Sequence, residues 1–193
     1  MSALPFEPRW TAVVVIDLQK GIVGRTCAPH AASTVVTNTR RILASARQAG
    51  ALPVLVHVGG SEDGADRLCP DADTPLTPQT PLPRDWSELV PELDRQPGDL
   101  VILKRQWGAF YGTDLDLQIR RRGIRTFILC GIATEFGVES TARDAFERGY
   151  DQVLVSDAMT GLNAGSHTDA IANIFPRLGK VRSTEQVVAA LEN

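Results

Sequence analysis

The sequence is poor in cysteine and contains no long hydrophobic run. Its three cysteines, Cys27, Cys69 and Cys130, are irregularly spaced and form neither a disulfide framework nor a CxxC metal pattern. The longest apolar runs, residues 12–16 and 127–130, have the length of a strand and are far too short to span a bilayer. Residues 1–10 lack the basic region and apolar core of a secretory signal. These absences predict a cytoplasmic protein without a membrane segment.

The charge balance and the missing motifs exclude further classes of function. The formal net charge is −3, which disfavours a dedicated nucleic-acid binder because such surfaces are usually strongly basic. The basic run 120–122 follows a helical pattern, so we interpret it as a helix end whose cations complement the helix dipole. No GxGxxG or GxxxxGK[ST] segment occurs, and no HxH or HExxH pattern surrounds His57. We therefore predict neither a cofactor nor a metal ion.

What the sequence does contain is a regular alternation of strand and helix patterns. Continuous apolar runs predict strands at Thr11–Ile16, Leu52–Val58, Leu100–Leu103, Thr126–Cys130, Gln152–Ser156 and Lys180–Arg182. Helices are predicted at Ala32–Ala49, Thr113–Arg122, Glu135–Arg148, His167–Arg177 and Thr184–Leu191. Strands of this kind are buried on both faces, as in a parallel sheet covered by helices. We predict one domain over residues 1–193, a three-layer, Rossmann-like α/β/α fold with a mostly parallel six-stranded sheet.

Glycines mark the predicted helix ends. Each of four glycines follows a helical pattern and precedes an apolar run, the place of a left-handed residue that closes a helix: Gly50, Gly123, Gly149 and Gly179. Ser183 and Gln186 have the spacing of a capping box for the last helix.

Residues 59–97 form one long irregular region. It holds most of the prolines, among them Pro70, Pro75, Pro78, Pro81 and Pro83. A connection of this length predicts a lid, a pocket wall or a subunit contact, with a plain surface excursion as the alternative.

Two charged residues stand at the ends of predicted strands. Asp17 follows the first strand and Lys104 follows the third, and ligands of open parallel sheets bind beyond the carboxyl ends of the strands. Burial raises the pKa of a carboxyl group and a neighbouring ammonium lowers it, so the balance decides whether Asp17 acts as an acid or a base. We predict that both residues are catalytic. The alternatives are a loop-capping aspartate and a surface lysine.

Aromatic residues cluster directly after Lys104. Three aromatic side chains within five residues suggest a pocket wall for a flat or cyclic small-molecule substrate, although core packing or a dimer contact explains any one of them equally well. The residues assigned to the substrate pocket are Gln19, Trp107, Phe110, Tyr111, Thr134 and Phe136.

The most informative stretch is GIATEFGVESTARDA at residues 131–145. It leaves a predicted strand, turns at Gly131 and enters a helix, so backbone N–H groups point at whatever lies above the strand end and favour a developing negative charge. The position that could present a nucleophile is Gly137, which has no side chain. Together with Asp17 and with KRQWGAF at residues 104–110, this stretch resembles the isochorismatase-like hydrolases, which include nicotinamidases, carbamoylsarcosine amidases and true isochorismatases.

The resemblance implies roles for individual residues. Asp17 and Lys104 fall on the first two positions of the Asp–Lys–Cys triad of the amidases, and Gly137 occupies the place of the cysteine. It also implies a cis peptide bond before Ala133 and an oxyanion site made by the backbone N–H groups of Ala133 and Gly137. Cys130 lies seven residues too early to replace the thiol. Family members are commonly dimers or tetramers, so the resemblance implies a homodimer or homotetramer.

Three functions are compatible with this pattern. Without a thiol the thioester route is excluded, but true isochorismatases also have glycine here and cleave a vinyl ether without covalent catalysis. By analogy, Asp17 is the general acid, and Lys104 orients it and holds a substrate carboxylate. Residues 133–135 match the amidase branch instead, since the isochorismatases of siderophore and phenazine pathways carry Tyr-Ala-His. We expect a non-covalent hydrolase of a small carboxylated or cyclic compound; an amidase that activates water and a catalytically silent ligand-binding member are the alternatives.

Overall fold

The computed structural model describes residues 7–74 and 82–192, and a six-stranded sheet lies at its centre. The strands are β1 Thr11–Ile16, β2 Leu52–Val58, β3 Leu100–Lys104, β4 Thr126–Ile132, β5 Asp151–Thr160 and β6 Lys180–Arg182. Their order is β3-β2-β1-β4-β5-β6, and neighbouring strands are parallel in every pair. The predicted α/β fold with six strands is therefore confirmed, and its sheet is parallel throughout.

Helices and helical turns connect the strands. In the described ranges the α-helices are α1 Lys20–Val23, α2 Ala32–Ala49, α3 Leu115–Arg121, α4 Glu139–Glu147, α5 Ala164–Asp169, α6 Phe175–Leu178 and α7 Thr184–Leu191. Two 3-10 turns (Pro8–Trp10, Pro91–Leu93) and two π-helical turns (Thr134–Val138, Ala170–Ile174) complete the set. The π-helical turns correct two predictions: the predicted helix Glu135–Arg148 starts within one of them, and the predicted helix His167–Arg177 is divided by the other.

The helices cover both faces of the sheet. Every residue of β1 is buried, with Ala12, Val14 and Ile16 in one hydrophobic cluster and Val13 and Val15 in the other. Side chains of α3, α4 and α6 join the first cluster, and side chains of α2 and α7 join the second. Since successive side chains of a strand point to opposite faces, a central strand covered on both sides must be apolar along its whole length.

Three of the four predicted helix-ending glycines are confirmed. Gly50, Gly123 and Gly149 have left-handed backbones, with φ of 82°, 69° and 81°. For Gly179 the prediction is wrong, because its φ of −178° is extended. A Cβ atom at this position would lie 2.4 Å from the carbonyl oxygen of Gln152, so the glycine allows the end of α6 to approach β5 closely.

Polar residues at two helix ends follow the sequence prediction. Ser183 and Gln186 form a complete capping box at the start of α7. The basic run 120–122 lies at the end of α3, where Arg120 forms an ion pair of 2.9 Å with Asp116.

The described part of the irregular region, residues 59–74 and 82–97, contains turns and the 3-10 turn Pro91–Leu93. Residues 82–90 lie across α1, with hydrogen bonds of 2.9 Å from the N–H of Gly21 to the carbonyl of Trp86 and from the N–H of Lys20 to that of Glu88. Pro75, Pro78 and Pro81 lie outside the described residues, as do residues 1–6 of the segment in which no signal is predicted.

Two predictions concern the whole chain. One domain over residues 1–193 stays a prediction. Among the helices of residues 7–74 and 82–192, none combines the length and the apolar character needed to cross a membrane.

Candidate active site

Asp17 and Lys104 meet at the carboxyl edge of the sheet, although 86 residues separate them in the sequence. Asp17 follows β1 with a left-handed backbone (φ 52°), and Lys104 ends β3, two strands away. The Nζ atom of Lys104 lies 2.7 Å from Oδ2 of Asp17, and both side chains are almost completely buried. Nζ also donates a hydrogen bond to the carbonyl oxygen of Trp107. The structure thus brings the two predicted catalytic residues together as a buried ion pair.

Burial dominates the electrostatics of Asp17. Desolvation raises the pKa of its carboxyl group to about 6, while the charge and the hydrogen bond of Lys104 act in the opposite direction. Oδ2 is taken by the lysine, whereas Oδ1 is buried and has no hydrogen-bond partner among the described residues. Asp17 also lines the cavity described below. Its carboxyl group is therefore protonated more readily than that of an exposed aspartate, and one of its oxygens accepts no hydrogen bond from the described residues.

Residues 131–137, called the corner from here on, lie beside this ion pair. A Cβ atom at Gly137 would be 3.0 Å from Nζ of Lys104 and 3.2 Å from Oδ2 of Asp17. Gly131, with φ 122°, lies so close to β1 that a Cβ atom there would come within 2.1 Å of the carbonyl oxygen of Ile16. The peptide bond between Ile132 and Ala133 is cis. A side chain at position 137 would thus touch both members of the ion pair.

A cavity of about 830 Å³ opens above the ion pair. Ala133, Phe136 and Gly137 of the corner line it, together with Trp107. The rings of Trp107 and Phe136 lie 4.9 Å apart at an angle of 57°. Of the predicted pocket residues, Trp107 and Phe136 are on the wall of this cavity.

Phe110 and Tyr111 do not form the pocket wall that the sequence predicts. Phe110 is buried in the hydrophobic core, where its ring stacks on that of Phe127 at 5.8 Å. Tyr111 is 78% exposed and does not line the cavity. The aromatic cluster is divided because the chain turns after β3, so neighbouring side chains point into the cavity, into the core and into solvent.

Gln19 and Thr134 are also buried away from the cavity. The Gln19 amide accepts from the N–H of Val58 and donates to the carbonyl oxygens of Val58 and Trp86, at 2.7, 2.9 and 3.2 Å. Thr134 is hydrogen-bonded through Oγ1 to Nδ1 of His167 at 2.8 Å. Neither side chain lines the cavity, so the structure does not place them on the predicted pocket wall. Gln19 joins the end of β2 to the segment that carries Trp86.

Several cavity residues come from irregular segments that have no sequence periodicity. Trp86 lies against α1 so closely that a Cβ atom at Gly21 would be 2.1 Å from its indole ring. Arg25 and Arg67 line the cavity and have no ion-pair partner in the described part of the chain. No pattern in the sequence identifies these three residues, because only the path of the loops brings them to the cavity.

Cys130 and the metal-binding residue types give no alternative centre within the described part of the chain. Cys130 is buried inside β4, and desolvation raises the pKa of its thiol to about 12, which disfavours the thiolate that a nucleophile needs. Among residues 7–74 and 82–192, no group of three His, Cys, Asp or Glu side chains is arranged to hold a metal ion.

Comparisons with known proteins point to one family. A profile described as the isochorismatase domain matches residues 11–186. The chain is 47% identical to the uncharacterized isochorismatase family protein YwoC of Bacillus subtilis, over 96% of both chains. It is 32% identical to the ureidoacrylate amidohydrolase RutB of Pantoea ananatis, over 81% of this chain and 72% of that protein. The solved structure of an isochorismatase family protein from Burkholderia thailandensis shares 44% identity and a TM-score of 0.94 over the full length of both chains.

Proposed function

Because the chain belongs to the isochorismatase family of hydrolases, we propose that it cleaves a small carboxylated or cyclic substrate by general acid catalysis from Asp17, without a covalent intermediate. The observation that carries the proposal is the environment of Asp17. Its carboxyl group has a pKa raised to about 6 by burial, and its Oδ1 atom has no hydrogen-bond partner in the described residues of the cavity. A proton donor with a pKa near the working pH is what general acid catalysis needs.

The proposed chemistry is the hydrolysis of a vinyl ether. Asp17 gives its proton to the vinyl carbon, which leaves an oxocarbenium ion; water adds to this ion and gives up a proton to the Asp17 carboxylate, and the resulting hemiketal breaks down into pyruvate and an alcohol. Lys104 orients the carboxyl group from 2.7 Å and holds a substrate carboxylate. A well-placed proton donor contributes about 10²–10⁴-fold in rate, so the reaction does not require an attacking side chain.

The absence of a side chain at Gly137 supports this proposal. A side chain here would occupy the space within about 3 Å of the ion pair, and its absence leaves that space to substrate or water. The thioester route of an activated cysteine has no nucleophile at this position. Backbone N–H groups of Ala133 and Gly137 are the proposed oxyanion donors, and both residues line the cavity.

The charge of the cavity supports a carboxylated substrate. Its two acids, Asp17 and Asp66, are each held in an ion pair, with Lys104 and with Arg105. Arg25 and Arg67 remain as cations without an ion-pair partner among the described residues. Guanidinium groups bind carboxylates through paired hydrogen bonds.

A second candidate is an amidase that activates water. The observation in its favour is the similarity to ureidoacrylate amidohydrolase RutB, at 32% identity. In this reaction Asp17 would be ionised and would accept a proton from water, and the product would be ammonia. A cytoplasmic location and a homodimer or homotetramer are further parts of our proposal.

One assay separates the candidates. Purified protein is incubated with a panel of vinyl ethers that carry a carboxylate and a panel of amides, and pyruvate and ammonia are measured in parallel, with Asp17→Asn as the blank. Pyruvate from the wild type alone supports the general acid. Ammonia supports the amidase. Equal signals from wild type and blank across both panels contradict both reactions and leave a ligand-binding member of the family.

The pH dependence of kcat/KM shows whether Asp17 donates a proton or accepts one. A general acid must be protonated, so kcat/KM is flat below the pKa of Asp17, about 6, and falls tenfold per pH unit above it. A general base must be ionised, so the amidase has the opposite profile and gains activity as the pH rises to about 6. If kcat/KM does not change with pH around 6, Asp17 is neither the general acid nor the general base.

A further inference from the structure

We infer that Glu135 is a positioning residue: its carboxylate binds the turn 161–163 to the corner and so fixes the relative position of these two segments of the cavity wall. The inference rests on the proposed function only in assuming that the corner must be held in place for catalysis. Glu135 lies in the π-helical turn of the corner, between Ala133 and Gly137. Its side chain belongs to neither the ion pair nor the cavity wall.

One oxygen of Glu135 binds the turn directly. Oε1 accepts a hydrogen bond of 2.8 Å from the backbone N–H of Leu162. Leu162 lines the cavity, as do Phe136 and Gly137, the two residues that follow Glu135 in the chain. A single carboxylate therefore connects two separate segments of the cavity wall.

The other oxygen is packed against the backbone of the same turn. A Cβ atom at Gly161 would lie 2.4 Å from Oε2 of Glu135, so the turn approaches the carboxylate as closely as it does only because residue 161 is glycine. Oε2 is buried and has no hydrogen-bond partner among the described residues. A carboxylate oxygen kept in such a place without a partner calls for an explanation other than surface solvation.

The segment around Ala28 is bonded to the same turn. The backbones of Gly161 and Ala28 form an antiparallel bridge through two hydrogen bonds of 2.9 and 3.0 Å. Three residues before Ala28 is Arg25, a cavity residue. Displacing the carboxylate of Glu135 would thus release the corner from a turn to which the segment that carries Arg25 is also bonded.

The test uses three variants that separate position from charge. Glu135→Ala removes the acceptor. Glu135→Gln removes the charge and keeps an amide oxygen that can accept from Leu162. Gly161→Ala leaves Glu135 intact but displaces its carboxylate, and the backbone at Gly161 is not left-handed, so the new methyl group adds no φ strain. Glu147→Ala, the same substitution at an exposed position of α4, is the control.

Hydrogen exchange measures the link without any substrate. We expect Glu135→Ala and Gly161→Ala to accelerate exchange of the amides of residues 132–138 and 161–163 by the same factor, with the rest of the sheet unchanged. Glu135→Gln and Glu147→Ala are expected to exchange like the wild type. The double variant Glu135→Ala with Gly161→Ala is expected to match Gly161→Ala, because both changes break one contact.

A chemical probe then reports on the catalytic geometry. In a Gly137→Cys background, iodoacetamide alkylates a thiol that would lie close to Nζ of Lys104. Adding Glu135→Ala is expected to lower the alkylation rate at position 137 several-fold, and adding Glu135→Gln is expected to leave it unchanged.

Three results would overturn the inference. Equal effects of Glu135→Gln and Glu135→Ala would assign the change in exchange to charge, and faster exchange throughout the sheet would assign it to global stability. Unchanged exchange in residues 132–138 and 161–163 would show that Glu135 does not hold these segments. Because neither measurement requires turnover, a failure of the proposed reaction and a failure of this inference are seen separately.

Discussion

At the scale of single residues, two opposing effects act on one carboxyl group. Burial raises the pKa of Asp17, and Lys104 partly reverses that rise through its charge and its hydrogen bond. The result of about 6 lies between the value of an exposed aspartate and that of an isolated buried one. The position of both residues at strand ends is visible in the sequence, but the degree of burial that determines this pKa is not.

Lys104→Met tests this balance. Removing the ammonium removes both effects that lower the pKa of Asp17, so we expect the pKa to rise above 6 and the falling limb of the pH profile to move to higher pH. The measurement is a carbon-13 titration of the aspartate carboxyl groups, with Asp17→Asn to assign the resonance. An unchanged or lower pKa would show that the lysine does not control this group.

Gly137→Cys tests whether the corner still suits the family's nucleophile. The new thiol would lie close to the ammonium of Lys104, so we expect a pKa below that of an ordinary thiol and faster alkylation by iodoacetamide at neutral pH. The exposed Cys69 is an internal standard, and the buried Cys130 should not react. Release of ammonia from the amide panel by this variant would indicate a pocket that accepts amides. If iodoacetamide alkylates the thiol at position 137 more slowly than that of Cys69, the expected geometry is contradicted.

At the scale of elements, the strongest sequence signals give the most accurate predictions. The predicted bounds of β1, β2, β6, α2 and α7 are those of the structure. The predictions are less accurate elsewhere. β5 spans Asp151–Thr160, well beyond the predicted Gln152–Ser156, and the helix predicted from Glu135 starts within the π-helical turn Thr134–Val138, whose extra residue leaves no mark on the apolar pattern.

Gly179→Ala tests the corrected account of the end of α6. The backbone is extended, so left-handed strain is not the issue; the methyl group would instead press on the carbonyl oxygen of Gln152 at 2.4 Å. We expect a loss of about 1–3 kcal/mol in the free energy of unfolding, the usual range for overpacking, measured by urea denaturation. Gly98→Ala, where no atom lies within 4 Å, is the control and should change stability by less than about 0.5 kcal/mol. Equal effects at both positions would refute the close contact.

At the scale of the whole molecule, strand order determines where the chemistry lies. The chain moves from β1 outwards to β2 and β3 and then returns to β4 on the other side of β1. Loops that leave β1 and β4 in opposite directions open a crevice at their carboxyl ends, the usual ligand site of such sheets. Asp17 follows β1 and the corner begins with the last two residues of β4, so both border this crevice.

The resemblance to the family also predicts a homo-oligomer. Light scattering coupled to gel filtration should give two or four times the mass of the 20.9 kDa chain, and the midpoint of thermal unfolding should rise with protein concentration, because association stabilises the folded state by mass action. A mass of one chain at all concentrations, with a midpoint independent of concentration, would contradict this prediction.

The sequence by itself determined the α/β class and the six strands, because apolar periodicity is a local property of the chain. The meeting of Asp17 with Lys104 was an inference from the fold, and the place of Gly137 beside them was implied by the resemblance to the family; the distances between them come from the tertiary structure. Only the tertiary structure decided which neighbouring side chains face the cavity. Trp107 does so and Phe110 does not, although only two residues lie between them in the sequence. The direction of a loop side chain depends on packing against distant segments, and no pattern within the loop encodes those contacts.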